Sequence, residues 1–206
     1  MKYILKNIYM PEKIFIRKAK ISDADEIAQL HMENINKGFL TKLGKKLLVS
    51  IYQFIIIGPE SFCFVAVVDK KIVGFISATE NCQLLYKRFF SKNFYLGFKV
   101  IIIKIFDLSV IRKSIDHLFL PKKRQVLPKA EFLTIAVDNK IKRKGLGTQL
   151  FERMRREFRK RKTEGFIAIV GQSLKPSNRF MDKMKAIKIS EIQVHKGEIS
   201  NVYFWK

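Results

Sequence analysis

Apolar positions recur along the chain with two periods, and each change of period marks an element. Ile14 to Ala19 mixes apolar and basic residues and reads as a strand. Ser22, followed by Asp23, Asp25 and Glu26, starts a helix, because a hydroxyl cap and early acidic residues suit the positive helix end. Thr41 is placed to cap a second helix. Its Leu43, Leu47, Leu48, Ile51 and Phe54 form one stripe, and Gly58-Pro59 ends it. Phe62–Val68 and Ile72–Ala78 form a hairpin about Asp69-Lys70-Lys71. Ala130–Val137 is a strong strand, and Leu146–Lys162 is a helix with Leu146, Leu150, Met154 and Phe158 on one face. Phe166–Val170 is a short strand, and Ser177–Met184 is a short helix capped by Ser177. Ile187–His195 and Ile199–Trp205 close the chain as a hairpin about Gly197.

This order predicts a mixed α/β fold with a central, mostly antiparallel sheet of about seven strands and flanking helices. Strands 130–137 and 166–170 are joined by a helix and are expected to be parallel. Residues 81–129 form a basic, aromatic and aliphatic segment, read as a helical insertion between strands. Leu120 to Arg124 and Pro128 look like an exposed connector.

The 206 residues fit one domain, and 48% hydrophobic content is too high for a disordered chain. Against 18 Asp and Glu stand 41 Lys and Arg, a net charge of +23 concentrated in residues 81–162. Such a field attracts phosphates, acidic proteins, anionic lipid or nucleic acid. Cys63 and Cys82 make neither a disulfide framework nor a zinc site, and no metal is expected. His31 is expected on a helix face rather than as a ligand. The first residues lack the apolar core of a signal peptide. The run Phe94–Ile111 is broken by Lys99, Lys104 and Asp107, so no transmembrane segment is expected and the cytoplasm is the expected compartment.

The chemistry concentrates where a strand passes through a basic loop into a helix, Val137 to Thr148. Glycines at 145 and 147 let the backbone approach a ligand, and amides at a helix N-terminus point at an anion. Lys142, Arg143 and Lys144 oppose the helix dipole unless an anion is bound there. The spacing of a Walker loop is absent, and so is the full dinucleotide fingerprint.

This stretch resembles the acetyl-coenzyme A signature of GNAT acyltransferases, Arg/Gln-x-x-Gly-x-Gly/Ala. Lys142, Gly145 and Gly147 occupy its defining positions, and Arg143 stands where Gly is common. Ile16-Arg17, the hairpin CFVAVVDKKIVGFISA, the strand AEFLTIAV and the tail SNRFMDKMKAIKI resemble the family's other segments in order. The resemblance implies acetyl-coenzyme A as co-substrate, held by Lys142 to Thr148, including Leu146. Ile135, Ala136 and Val137 would meet its pantetheine arm, Asn178 would be a second-tier contact, and the parallel strands would splay to admit it. Glu131 is the candidate base, at a spacing similar to that of the glutamate in the histone acetyltransferase branch. Its plain alternative is a strand-edge carboxylate balancing Lys129, and Glu80 and Asp138 are weaker candidates. Met181 stands where many members carry an acid Tyr, and Lys185-Ala186 replaces Gly-Phe. Ser173 or Ser177 could stand near the thiol. The acceptor would be a small-molecule primary amine, with the insertion shaping its pocket. An acidic acyl carrier protein is a second possible partner. The third option is a non-catalytic module on residues 85–129 binding nucleic acid or anionic membrane, the less favoured reading.

Overall fold

The computed structural model describes residues 14–35, 41, 44–92, 127–141, 145–195 and 198–206. The elements run β1 (Phe15–Lys18), a 3-10 turn at Ile21–Asp23, α1 (Ala24–Asn34), α2 (Lys45–Ile57), β2 (Ser61–Val68) and β3 (Lys71–Thr79). They continue with α3 (Cys82–Lys92), β4 (Glu131–Val137), a 3-10 turn at Asn139–Ile141, α4 (Leu146–Lys160) and β5 (Phe166–Gly171). Last come α5 (Lys175–Lys183), β6 (Ile187–His195) and β7 (Glu198–Trp205).

The strands form one seven-stranded sheet in the order β1-β2-β3-β4-β5-β7-β6. All neighbours are antiparallel except β4 and β5, which are parallel as expected. That pair is registered only at Glu131↔Ile167, supported by the Ile167 N–H donating to the Ala130 carbonyl at 3.0 Å. Beyond it β4 has no registered partner on that side among the described residues, so the sheet is split from Phe132 to Val137. The β3–β4 register shifts between Ser77 and Ala78. Leu133 is the extra residue of this bulge.

Each face of the sheet carries its own core. α4 and α5 cover one face, burying Leu146, Leu150, Phe151, Met154, Phe158 and Met181 against Phe62, Phe64 and Phe132. Aromatic rings knit it: Phe158 stacks on Phe166 at 4.5 Å and Phe166 on Trp205 at 5.1 Å between centroids. The other face carries α1, α2 and α3, with Ile27, Leu48, Tyr52, Phe75 and Leu85 buried. Phe54 of α2 meets Phe89 of α3 edge-on at 5.4 Å. No helix among the described residues is long and apolar enough to cross a membrane.

Several boundaries differ from the sequence reading. Ser22 does not start an α-helix but lies inside the 3-10 turn. Asp23 organises this entry: its carboxylate accepts the Lys20 N–H at 2.7 Å and two Arg17 bonds at 2.6 and 3.0 Å. Thr41 does not cap α2, because its hydroxyl donates to the Ile35 carbonyl and the helix begins after Gly44 at φ 87°. Ser177 is not a cap either. α5 begins two residues earlier at Lys175, with Pro176 in its first turn, where a missing N–H costs nothing. His31 lies on α1 as expected, on the face that packs into the core, at 2% exposure. Lys185, where the resemblance wants Gly, adopts φ 57° all the same. The Ala186 N–H reaches the Met181 carbonyl at 3.1 Å, so the tail makes its turn despite the side chain. Leu43, Gly197 and residues 93–126, which include Phe94–Ile111 and Leu120–Arg124, lie outside the described residues.

Candidate active site

The start of α4 is built to receive an anion. Gly145 precedes it at φ 78°, a left-handed conformation that only glycine adopts freely, and offers no side chain to the helix end. The Gln149 N–H makes the first helical bond, to the Gly145 carbonyl at 3.1 Å. The amides of Leu146, Gly147 and Thr148 therefore have no acceptor within the helix, and no acidic residue stands in its first turn. They border a cleft of about 180 Å³. Val137 and Ile141 form one wall, and Phe180 and Lys183 of α5 form the other. A Cβ on Gly147 would meet Phe180 Cε2 at 3.4 Å, so the helix start and α5 are already in contact distance.

The split in the sheet leads away from this cleft. β4 runs from Val137, on the cleft wall, back to Glu131, where pairing with β5 resumes. That is six residues, roughly 20 Å at the rise of a strand. At the closed end Glu131 turns towards α3. The Cys82 thiol stands beside its carboxylate, and the Tyr86 hydroxyl stands beside the Cys82 sulfur. α3 is anchored beside β4 by the Cys82 N–H, which donates to the Lys129 carbonyl at 2.9 Å. Burial raises the Glu131 carboxyl above the ordinary carboxylate range, and the bond from Cys82 only partly opposes this. The thiol of Cys82 is likewise pushed up, mainly by burial.

A split parallel pair has an uncapped helix start at its open end and a half-buried carboxyl at its closed end. The profile described as the Acetyltransferase (GNAT) family matches residues 25–185. The chain belongs to the GNAT acetyltransferase family. Its fold is similar to that of the PaiA N-acetyltransferase from Thermoplasma acidophilum, a structure in complex with coenzyme A. The likeness has a TM-score of 0.62 at 13% identity, over 94% of this chain and 99% of that one. It is also similar to the ribosomal-protein-S18-alanine N-acetyltransferase from Escherichia coli (TM-score 0.59, 13% identity, 93% and 92% coverage). An N-acetyltransferase from Staphylococcus aureus gives 0.60 at 16% identity, with 93% and 100% coverage. No curated protein sequence matches the chain.

Within this GNAT domain the structure gathers some of the expected site residues and disperses others. Val137, Gly145, Leu146, Gly147 and Thr148 meet at the cleft. Ile135 lies beside Gly147, while Ala136 is buried in the core of the α1–α3 face. Lys142, Arg143 and Lys144 lie outside the described residues. Asn178 is committed elsewhere. Its amide donates to the Gly171 and Leu174 carbonyls, each at 2.9 Å, and its oxygen accepts from Asn201 and Tyr203 at 2.9 and 2.8 Å. Those four bonds use the whole capacity of the side chain.

The other candidates are engaged too. Glu80 pairs with Arg161 at 2.7 Å, and Asp138 accepts the Lys140 N–H at 2.9 Å. The Ser173 hydroxyl donates to Glu198 at 2.7 Å. Ser177 lies in the first turn of α5, and Met181 is buried in the core at 3% exposure. Sequence reasoning missed four residues, Phe180, Lys183, Cys82 and Tyr86. The first two share a face of α5, three residues apart, which the amphipathic pattern of that helix hints at. Nothing in the sequence signals that Cys82 and Tyr86 meet Glu131, because α3 and β4 are joined only through tertiary packing.

Proposed function

We propose that this protein transfers an acetyl group from acetyl-coenzyme A to a primary amine by direct attack of the amine on the thioester. One observation carries this reading: amides with no acceptor within the helix and a half-buried carboxyl stand at the two ends of one strand edge that has no registered partner among the described residues. In this reading the pyrophosphate rests on the amides of Leu146, Gly147 and Thr148, with the Lys183 ammonium adding charge. The exposed edge of β4, Phe132 to Val137, offers its backbone to the extended pantetheine arm and leads it towards Glu131. When bound, acetyl-coenzyme A supplies an activated acyl carbonyl with a thiolate leaving group.

The protein's own share is positioning and proton removal. Glu131 takes the proton that the amine loses as its nitrogen bonds to the carbonyl carbon and the carbon–sulfur bond breaks. A carboxyl with a raised pKa is a stronger base once ionised, and so suits that task. Met181 has no proton to give, and the Ser173 proton is held by Glu198. Water therefore returns a proton to the departing thiolate. The acceptor is a small-molecule amine, and the free thiols Cys63 and Cys82 suit a reducing cytoplasm.

The test is release of free coenzyme A thiol from acetyl-coenzyme A across a panel of primary amines. Amine-dependent release that Glu131→Gln suppresses supports the reading. Binding of coenzyme A without turnover on any amine class would contradict the enzymatic part of it.

A further inference from the structure

A second groove, of about 400 Å³, adjoins the cofactor cleft along α4. It is lined by Ile16 of β1 and by Thr148, Gln149, Glu152, Arg153 and Arg156. Thr148 borders both hollows. The Arg153 guanidinium lies 4.9 Å from the centroid of the Phe64 ring. That ring is fully buried, and it steadies the guanidinium without neutralising it.

The groove's one carboxylate, Glu152, bonds to Arg155 at 3.1 Å. Neither Arg153 nor Arg156 has an ion-pair partner among the described residues. Two unneutralised guanidiniums three positions apart on one helix repel each other, as like charges at this spacing do. An anion between them removes the penalty. It would lie close to the anion site at the helix start, because Thr148 and Arg153 are roughly 7.5 Å apart along the axis at 1.5 Å per residue.

We propose that this groove binds the 3′-phosphate of coenzyme A through Arg153 and Arg156, and so makes the protein select the phosphorylated nucleotide over dephospho-coenzyme A. The inference rests on the reading of the neighbouring cleft as the pyrophosphate site. A phosphate monoester carries about −1.5 to −2 charges at neutral pH, and a guanidinium matches its oxygens two at a time. The two sites therefore divide the nucleotide between them: backbone amides take the pyrophosphate, which both compounds share, and arginines take the group that only one has.

The experiment is titration calorimetry of the full chain with coenzyme A and with dephospho-coenzyme A. It is done on the wild type and on the double variant Arg153→Met, Arg156→Gln. Methionine keeps an unbranched stem over Phe64, and thermal melting followed by circular dichroism checks the fold. The wild type should bind coenzyme A roughly tenfold or more tightly than the dephospho compound, as expected for one or two hydrogen bonds to a charged group. In the double variant that ratio should fall to about one, through loss of coenzyme A affinity alone. Equal binding of the two compounds by the wild type overturns the inference and leaves the cleft reading standing. So does a ratio that survives in the variant. Binding of neither compound by the wild type removes both. Should the double variant fail to fold, the wild-type ratio and Arg156→Gln alone decide the matter by the same criteria.

Discussion

On the α4 face of the sheet the decisive polar groups are backbone amides; on the α1–α3 face they are side chains whose ionisation is set by burial. The amides of Leu146, Gly147 and Thr148 need only a helix start, a glycine at φ 78° and the absence of a capping side chain. Glu131, by contrast, depends on Cys82 and Tyr86 arriving from α3, and on the apolar surroundings that raise its pKa. A function carried by backbone geometry is robust to side-chain exchange and sensitive to glycine replacement. One carried by a half-buried carboxyl behaves in the opposite way. That difference can be tested on both sides.

The largest effect is expected on the backbone side. Gly145→Asp places a side chain and a negative charge at a left-handed position beside the anion site. Calorimetry should detect no coenzyme A binding, while the same experiment on Glu131→Gln should give wild-type affinity. Retained binding in Gly145→Asp would remove the contrast.

Next comes turnover. Glu131→Gln should lower kcat by roughly 10²- to 10⁴-fold at pH 7, the usual contribution of a general base. Part of the loss should return at high pH, where the amine is already neutral. The same variant should be more stable than the wild type at pH 7. A raised pKa means that folding favours the protonated carboxyl. Its contribution to stability is complete below the unfolded value, near 4.5, and is lost as pH rises through the folded one. Melting curves of wild type and variant should therefore converge towards pH 4 and separate towards pH 7. Equal turnover with equal stability at both pH values would make Glu131 an ordinary strand-edge carboxylate.

A smaller effect separates the two cores. Phe151 of α4 touches the rings of Phe132, Phe166, Phe180 and Trp205, with centroids 5.3–6.3 Å apart. Phe151→Ala should cost about 3–5 kcal/mol in denaturant unfolding, with little dependence on pH. The α1–α3 core instead buries His31, whose Nδ1 lies 2.6 Å from the Tyr52 hydroxyl and whose Nε2 has no partner among the described residues. Burial holds its pKa down to about 4. A depressed pKa in a base gives stability that is present above the unfolded value, near 6.5, and is lost as pH falls towards 4. His31→Phe should flatten stability over that window, and an unchanged slope would place the acid sensitivity elsewhere, for example at Asp23 or Glu157.

The same contrast explains what the sequence could tell. Strand order, the hairpins and the helix from Leu146 follow from periodicity, since a side-chain pattern needs no tertiary knowledge. The glycines at 145 and 147 are legible because few residue types serve a left-handed cap and a close backbone approach. Helix starts are less legible. Ser22, Thr41 and Ser177 all have the right chemistry for a cap, yet Asp23, Gly44 and Leu174 take those places in the folded chain. Its position in a resembling tail makes Asn178 a candidate ligand contact. The structure gives its amide four protein partners across β5, α5 and β7, a commitment visible only once those elements meet. Lys183, Cys82 and Arg153 escaped notice for the same reason: each faces a site formed by elements distant in sequence.

The central claim is that the helix start of α4 and the unpaired edge of β4 hold coenzyme A. Thermal unfolding of the wild type, with and without saturating coenzyme A, tests it most directly. Ligand at about 100 times its dissociation constant adds about 2.7 kcal/mol. For a chain of this size that corresponds to a rise in melting temperature of roughly 5–11 °C. The account predicts such a rise, and its absence in Gly145→Asp. An unchanged melting temperature for the wild type at millimolar coenzyme A would contradict it.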